Sequence, residues 1–229
     1  MSDKKRFLTA EWNNLLMLNY SVDASLLEPL VPMGTELDMF EGKTYVSLVG
    51  FEFNRTRVLG FAVPFHQNFE EVNLRFYVRR GSKRGVVFIR ELVPRYAVAA
   101  IARWAFNENY SCVPMSHRIE VGKAEYTWSG GCVMRIETEG ESFLPPEGSL
   151  SQFITEHYWG YASQKGGGCL EYEVQHPPWS VWNGKSASFS GDVDALYGRE
   201  FAEVLRRDPD SAFLAKGSAV TVFKGTRII

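Results

Sequence analysis

Charged side chains of both signs are concentrated between positions 70 and 95, on what reads as a strand, a turn and a second strand. Odd-numbered positions from 71 to 79 carry mostly polar side chains, and even-numbered positions from 72 to 78 are apolar. In a curved or closed sheet, alternate residues of neighbouring strands face one interior. Arginines on such a face can hold an organic carboxylate through paired hydrogen bonds. The ligand-binding candidates in this region are Glu71, Arg75, Arg90, Glu91 and Arg95.

A second interpretation of the same face stays open, since alternation is also typical of a strand with one side in water. Cross-strand ion pairs on a solvated face stabilise a protein little. The pairing register decides whether Glu70 or Glu71 points inward, and whether Arg90 shares that face, because a slip of one residue inverts a strand. Glu71 is preferred, since it shares the face of the polar set.

A second candidate lies in the aromatic run Glu156–Tyr161, where His157 and Tyr158 combine apolar area with polar tips. A histidine at a ligand mouth can act as an acid or base near neutral pH. The alternative is a packed corner in which His157 binds a backbone carbonyl. The sequence identifies no catalytic residue.

Other chemistry is not supported by spacing. The histidines His66, His117, His157 and His176 match none of the usual zinc patterns, so no metal site is predicted. Nucleophilic serine catalysis has no G-x-S-x-G elbow. The glycines 166–168 lack the lysine and hydroxyl residue of a phosphate loop and predict a turn. No cofactor is expected.

The lysines after the N-terminal pair all lie within two residues of a glycine. Glycine beside a polar residue marks a turn between apolar runs. The sequence therefore predicts that these lysines are at loop tips in water and that none is buried. They are Lys43, Lys83, Lys123, Lys165, Lys185, Lys216 and Lys224.

The elements that must position the candidates are mostly strands. Hairpin signals occur at positions 41–43 and 81–85, and Ser129-Gly130-Gly131 separates two further strands. Helices are predicted at Asp23–Leu30, Pro94–Phe106, Ser149–His157 and Asp192–Arg207. About ten strands without regular intervening helices predict an α+β protein, mainly antiparallel β, with a curved or barrel-like sheet and a few peripheral helices. The whole chain, 1–229, is expected to form a single domain.

The net charge, the cysteines and the apolar runs argue against several classes of protein. Net charge is −2 with interspersed signs, which argues against nucleic-acid binding. The cysteines Cys112, Cys132 and Cys169 are odd in number and widely spaced, which favours reduced thiols in a cytoplasmic protein. No apolar run approaches the roughly 20 residues of a membrane span, so no membrane partner is expected. The apolar loop Val58–Phe65 can serve as a lid or a homo-oligomer contact, or be covered.

Several long segments in order resemble the YqjF-like family of uncharacterised proteins. They are FLTAEWNNLLMLNYSVD, LLEPLVPMGTELD, YVSLVGFEF, FEEVNLRFYVRR, GVVFIRELVPR, FITEHYWGY and AFLAKGSAV. The resemblance runs from about Phe7 to Gly225. It implies a fold similar to acetoacetate decarboxylase, in which a curved antiparallel sheet encloses a cavity. It implies no settled activity.

The decarboxylase itself is a weaker resemblance. Its glutamate on a central strand is similar to Glu70 or Glu71, and its Arg-Glu pair is similar to Arg90-Glu91. The enzyme continues into a Pro-Lys-Lys element that supplies a Schiff-base lysine, where this chain has Pro94-Arg95-Tyr96. Arginine offers no usable lone pair.

The expected function is therefore a small-molecule-binding cavity for an organic carboxylate or carbonyl compound without Schiff-base chemistry. Two alternatives stay open. One is a lysine-independent enzyme of the acid–base lyase or hydrolase type on the same scaffold. The other is a structural role as a homo-oligomer.

Overall fold

Long strands dominate the computed structural model, which describes residues 5–228. Within them lie fourteen strands, five short α-helices and one 3₁₀ turn at Glu28–Leu30. The helices are α1 (Ala24–Leu27), α2 (Tyr96–Phe106), α3 (Leu150–Thr155), α4 (Asp194–Tyr197) and α5 (Arg199–Leu205). The strands are β1 (Arg6–Val22), β2 (Glu36–Leu37), β3 (Thr44–Val58), β4 (Phe69–Arg80), β5 (Lys83–Val93), β6 (Tyr110–Cys112), β7 (Met115–Glu120), β8 (Lys123–Trp128), β9 (Cys132–Phe143), β10 (Trp159–Ser163), β11 (Cys169–Gln175), β12 (Val181–Ser190), β13 (Ser211–Phe223) and β14 (Thr226–Ile228).

The strands form one mainly antiparallel, strongly curved sheet. Its order in residues 5–228 is β14-β11-β10-β5-β4-β3-β1-β13-β12-β9-β8-β7, with β2 beside β4 and β6 beside β5. A further pairing joins Val174 in β11 to Val222 in β13. Strands β11 and β13 are thus joined directly as well as through β10, β5, β4, β3 and β1, so the sheet curves back on itself around an interior. The predicted mainly antiparallel β fold with peripheral helices is confirmed.

Both faces of the central strand β4 are buried. Its even-numbered side chains from Val72 to Val78 pack into an outer apolar cluster with β1, β3 and the β8–β9 hairpin. Its odd-numbered side chains from Glu71 to Tyr77 face the interior and are between 1% and 9% exposed. The interpretation of this face as solvated is therefore wrong. Burying a polar side chain costs free energy unless it forms hydrogen bonds, and on this face Asn73 donates one to Glu71.

Several element boundaries differ from the sequence-based expectation. The stretch Asp192–Arg207 forms two helices because Gly198, with a φ of 82°, interrupts it. The helix expected from Pro94 begins at Tyr96. A tight turn forms at the hairpin signal of positions 41–43, with Phe40 and Lys43 bridged across it, but strand β2 pairs with β4 and not with β3. Asp23 and Ser149 cap α1 and α3 with their side chains, as their residue types favour. No helix in the described residues is long and apolar enough to cross a membrane.

Candidate functional site

A cavity of about 150 Å³ lies between the interior face of the sheet and helix α2. Its walls are largely aromatic and aliphatic, with contributions from Trp12, Phe51, Phe88 and Phe106. Five residues of α2 cover one side, namely Ala97, Val98, Ile101, Ala102 and Phe106. A cavity of about this volume is large enough for a benzene-sized molecule. An apolar cavity that also contains a few polar groups is the usual form of a small-molecule site.

Strand β4 places two candidates in this cavity. Glu71 and Arg75 are 2% and 9% exposed and both line it, with Asn73 between them. Glu70 faces the other way, and its Oε1 lies 2.8 Å from Nδ1 of His117. Glu71, and not Glu70, is therefore the residue that points into the cavity. Because side chains alternate along β4, one acidic, one amide and one basic group lie along the same wall of the cavity.

A bulge in β5 determines which of its charged residues points inward. Leu74 pairs with Arg90, but Arg75 pairs with Phe88, so β5 carries one extra residue at Ile89. Glu91, which pairs with Asn73, therefore lines the cavity and is 2% exposed.

Three predicted ligand-binding residues lie outside the cavity. The Arg90 guanidinium points outward and donates to the Leu196 carbonyl at 3.1 Å and to the Ser111 hydroxyl at 3.1 Å. No carboxylate of residues 5–228 is paired with Arg90, whose partners are a backbone carbonyl and a hydroxyl. Arg95 is exposed at the start of α2. The ring of Tyr158 lies tilted against that of His176, with the centroids 4.8 Å apart, and does not line the cavity.

Two side chains that the sequence analysis did not identify complete an acidic cluster. Asn107 ends α2 in the left-handed conformation, and Glu108 then turns into the cavity. Tyr110 in β6 pairs with Glu91 and brings its hydroxyl to Glu71, donating to Oε2 at 3.0 Å. No local pattern distinguishes Glu108 from an ordinary loop glutamate, so its role depends on where the helix ends.

Tyr172 is the second tyrosine of this cluster. Its hydroxyl donates to Oε1 of Glu108 at 2.9 Å. The residue opposite it on β10 is Gly160, where an added Cβ would lie 2.1 Å from Cζ of Tyr172. The tyrosine ring therefore occupies space that only glycine leaves free.

Burial raises the pKa of all three glutamates. The pKa of Glu71 rises to about 7, less than burial alone would give, because Asn73 and Tyr110 donate to it and Arg75 is nearby. The pKa of Glu108 rises to about 8, with the Tyr172 hydrogen bond opposing the increase. The pKa of Glu91 rises well above its ordinary value through burial and the charges of Glu108 and Glu71. At neutral pH the cluster therefore keeps protons that exposed carboxyls would have released.

His157 lies at the Arg75 end of the cavity. Its Nε2 is 3.1 Å from Oδ2 of Asp38, which also accepts a hydrogen bond from Nε of Arg84 at 2.7 Å. Because a carboxylate can only accept, Nε2 carries the proton and Nδ1 is left as an acceptor. Burial lowers the pKa of His157 to about 4, so the ring is neutral at pH 7. Tyr77 and Phe153 hold the ring at centroid distances of 4.6 and 5.2 Å.

Unpaired polar atoms are concentrated in the cavity. In residues 5–228, nine buried side-chain polar atoms have no hydrogen-bond partner, and six of them belong to residues that line it. Buried polar atoms in proteins nearly always have partners, so each exception needs an explanation. The six atoms are Trp12 Nε1, Thr56 Oγ1, Asn73 Oδ1, Arg75 Nε, Glu91 Oε2 and His157 Nδ1.

Lysines do not take part in this arrangement. Among the eight described lysines, Lys83 is the least exposed, and its ammonium pairs with Glu171 and lies over the Trp159 ring. No lysine of residues 5–228 lines the cavity. Lys185 and Lys216 lie within β12 and β13 instead of at loop tips, but both are exposed. The same part of the chain contains no cluster of three or more side chains arranged to hold a metal ion.

The loop 59–65 is not covered, although covering was one interpretation of its apolar sequence. Leu59, Phe61 and Phe65 are between 64% and 90% exposed, while Val58 and Val63 line the cavity. The loop therefore borders the mouth of the site.

Comparison with known proteins supports the same architecture. The sequence profile of the family DUF2071, described as an uncharacterized conserved protein, matches residues 9–219. The chain belongs to this family. It is also 27% identical over 201 residues to the uncharacterized protein YqjF of Bacillus subtilis (strain 168), covering 82% of this chain and 80% of YqjF.

Solved structures share the fold at low sequence identity. Acetoacetate decarboxylase from Legionella pneumophila superposes with a TM-score of 0.73 at 12% identity, covering 100% of this chain and 90% of that enzyme. The enduracididine biosynthesis enzyme MppR, complexed with pyruvate, superposes with a TM-score of 0.67 at 12% identity, covering 96% of this chain and 90% of MppR. The DUF2071 chain therefore has the acetoacetate decarboxylase-like fold.

Proposed function

We propose that this protein binds a small organic carboxylate in the cavity and that Arg75 receives the carboxylate group. The observation that carries the proposal is the isolation of Arg75. Its guanidinium is buried, no carboxylate of residues 5–228 forms an ion pair with it, and its Nε has no partner. Its remaining contacts are a 3.5 Å hydrogen bond to the Ile154 carbonyl and the Tyr77 ring at 5.8 Å.

A buried cation without a partner is costly, by several kcal/mol. A ligand carboxylate would offset this cost, because guanidinium and carboxylate groups form two parallel hydrogen bonds. The apolar walls around Arg75 would hold the rest of the ligand, and His157 Nδ1 is an acceptor for a hydroxyl or N–H group on it.

The neighbours in fold agree with this ligand class. One is named as an acetoacetate decarboxylase, and another was solved with pyruvate. Both names point to small oxo acids. Their presence on the same fold supports a carboxylate ligand here, although this chain lacks a cavity lysine in its described part and so has no group to form a Schiff base.

The test is calorimetric titration with benzoate, butanoate, pyruvate and acetoacetate. We expect at least one of them to bind, and the Arg75→Gln variant to lose at least tenfold in affinity, because the charged pair is removed from a buried site. The matched control is Arg79→Gln on the same strand, whose exposed guanidinium pairs with Glu36 outside the cavity. Equal binding by wild type and Arg75→Gln, or no binding at millimolar concentration, would contradict the proposal.

A second candidate function is acid–base catalysis on a bound oxo acid. It is favoured by the coexistence of two buried glutamates, Glu71 and Glu108, whose pKa values lie close to neutral pH. Ionised Glu71 would take a proton from the carbon beside the carbonyl, the C–H electron pair would move to form the enolate, and neutral Glu108 would donate a proton to its oxygen. Reversal of these steps returns the starting compound.

Deuterium exchange tests this second function. We expect the methyl group of pyruvate to exchange in deuterated water faster with the wild-type protein than without it, as followed by NMR. Glu71→Gln should remove the acceleration, and Glu36→Gln on the exposed strand β2 should keep it. Exchange at the background rate with the wild-type protein would contradict the enzymatic role while leaving the binding role intact.

A further inference from the structure

The cavity has acidic side chains at one end and a basic side chain at the other. Glu71 and Arg75 are four residues apart on the same face of β4, which separates their Cα atoms by about 13 Å at strand geometry. Glu91 and Glu108 lie with Glu71, so three glutamates gather at one end and a single arginine lies at the other. A ligand that satisfies only Arg75 leaves the acidic end unused.

Two unpaired acceptors lie side by side at the acidic end. Asn73 and Glu91 are paired across β4 and β5, and both line the cavity. The Asn73 amide donates its Nδ2 to Oε1 of Glu71 at 3.0 Å, which orients the amide and leaves Oδ1 without a partner. Oε2 of Glu91 also has no partner, and the residues are 1% and 2% exposed.

The chemistry of these two atoms selects the ligand group. Asn73 Oδ1 can only accept a hydrogen bond, and Glu91 Oε2 accepts one when Glu91 is ionised, so a group that binds both oxygens must donate at least two hydrogen bonds. A hydroxyl donates one, whereas a primary ammonium donates three and carries a charge opposite to that of an ionised glutamate. Glu71 and Glu108 accept hydrogen bonds from Tyr110 and Tyr172, and Glu91, with which Tyr110 also interacts, keeps its Oε2 without a partner.

We propose that the cavity binds an amino carboxylate, with its carboxylate on Arg75 and its ammonium group between Asn73 Oδ1 and Glu91. This inference rests on the proposed role of Arg75 and extends it to the other end of the ligand. Glu91 is then the residue that determines specificity for an amine.

Ligand binding should also change the number of protons that the cavity residues carry. An ammonium group beside Glu91 favours its ionised form, so a proton leaves the protein when the amino carboxylate binds. A plain carboxylate on Arg75 instead cancels the positive charge that favours ionised Glu71, so a proton is taken up. Because the amino carboxylate also places its carboxylate on Arg75, the two ligand classes differ only by the proton of Glu91, and the amino carboxylate releases more protons, or takes up fewer, than the plain carboxylate.

The experiment compares pairs of ligands that differ only in replacing a methyl group by an ammonium group. The pairs are 4-aminobutanoate with pentanoate and 5-aminopentanoate with hexanoate, titrated at pH 7 in two buffers of different ionisation enthalpy. We expect one amino carboxylate to bind at least tenfold more tightly than its partner and to release more protons on binding than its partner does. Glu91→Gln should abolish this preference, whereas Glu36→Gln on the surface should retain it.

Each outcome decides between the two proposals. If the alkanoates bind as tightly as the amino carboxylates and depend on Arg75, the amine inference fails and the carboxylate function stands. If neither class binds, both fail. The comparison of ligand pairs on the wild-type protein needs no variant, so it remains decisive if Glu91→Gln does not fold. Thermal unfolding of that variant shows whether it folds, and we expect no loss of stability, because the substitution removes a buried ionisable group.

Discussion

Replacing Glu108 by glutamine tests whether the acidic cluster stores protons in the folded state. The pKa of Glu108 is about 8 in the folded protein and 4.5 ordinarily, because burial disfavours its charge. The folded state therefore binds this proton more tightly than the unfolded state. The resulting stabilisation is complete below pH 4.5 and is lost as the pH rises towards 8.

The magnitude follows from the pKa difference. Each pH unit between the unfolded and folded pKa values removes about 1.4 kcal/mol from the free energy of unfolding. Between pH 6 and pH 8 the ionisation linked to Glu108 thus removes about 2 kcal/mol, because the folded-state group is half ionised at pH 8, and this is a measurable part of a total of about 5–15 kcal/mol. Glutamine cannot ionise, but its carbonyl oxygen can still accept the hydrogen bond that Tyr172 donates to Oε1.

The assay is urea unfolding of the wild-type protein and the Glu108→Gln variant at pH 6, 7 and 8. We expect the free energy of unfolding of the variant to fall by about 2 kcal/mol less than that of the wild type across this range. Removing the Glu108 charge also lowers the pKa of Glu91, which further changes the dependence of the free energy of unfolding on pH. The exposed Glu139→Gln variant should follow the wild type. Parallel profiles for Glu108→Gln and the wild type would refute the reasoning.

Three further outcomes are expected. Burial lowers the pKa of His157 from 6.5 to about 4, so the free energy of unfolding should decrease by up to about 3 kcal/mol as the pH falls from 6.5 to 4. In the same urea assay, the free energy of unfolding of His157→Gln should decrease less over that range. Gly160→Ala should destabilise the fold by about 1–3 kcal/mol in thermal unfolding, because the added Cβ overlaps the Tyr172 ring. Gly166→Ala should have a smaller effect, because the nearest neighbour of its Cβ is a flexible arginine tip at 3.4 Å. Borohydride treatment in the presence of acetoacetate should leave the intact mass unchanged, because no described lysine is buried, and an adduct on an internal lysine would contradict this expectation.

Much of the fold could be predicted from local pattern. The alternation of β4 is strong enough to place Glu71 and Arg75 on one face, since a strand has no other way to arrange i and i+4. Side-chain caps at Asp23 and Ser149 and the many glycine turns have local causes as well. The resemblance of ordered segments then indicated the family and the curved antiparallel sheet.

The site was only half predictable because its residues meet through pairings that no local pattern encodes. One extra residue at Ile89 turns Glu91 inward and Arg90 outward, and a bulge of this kind has no distinctive sequence signal here. Glu108 enters the cavity because α2 ends at Asn107, and Tyr172 reaches it because Gly160 has no side chain on the strand opposite. Local pattern is therefore enough to specify which face of β4 carries polar groups and to indicate that no lysine is buried. Which acids join that face depends on the three-dimensional packing, because strand register and the end of a helix depend on contacts between segments far apart in the chain.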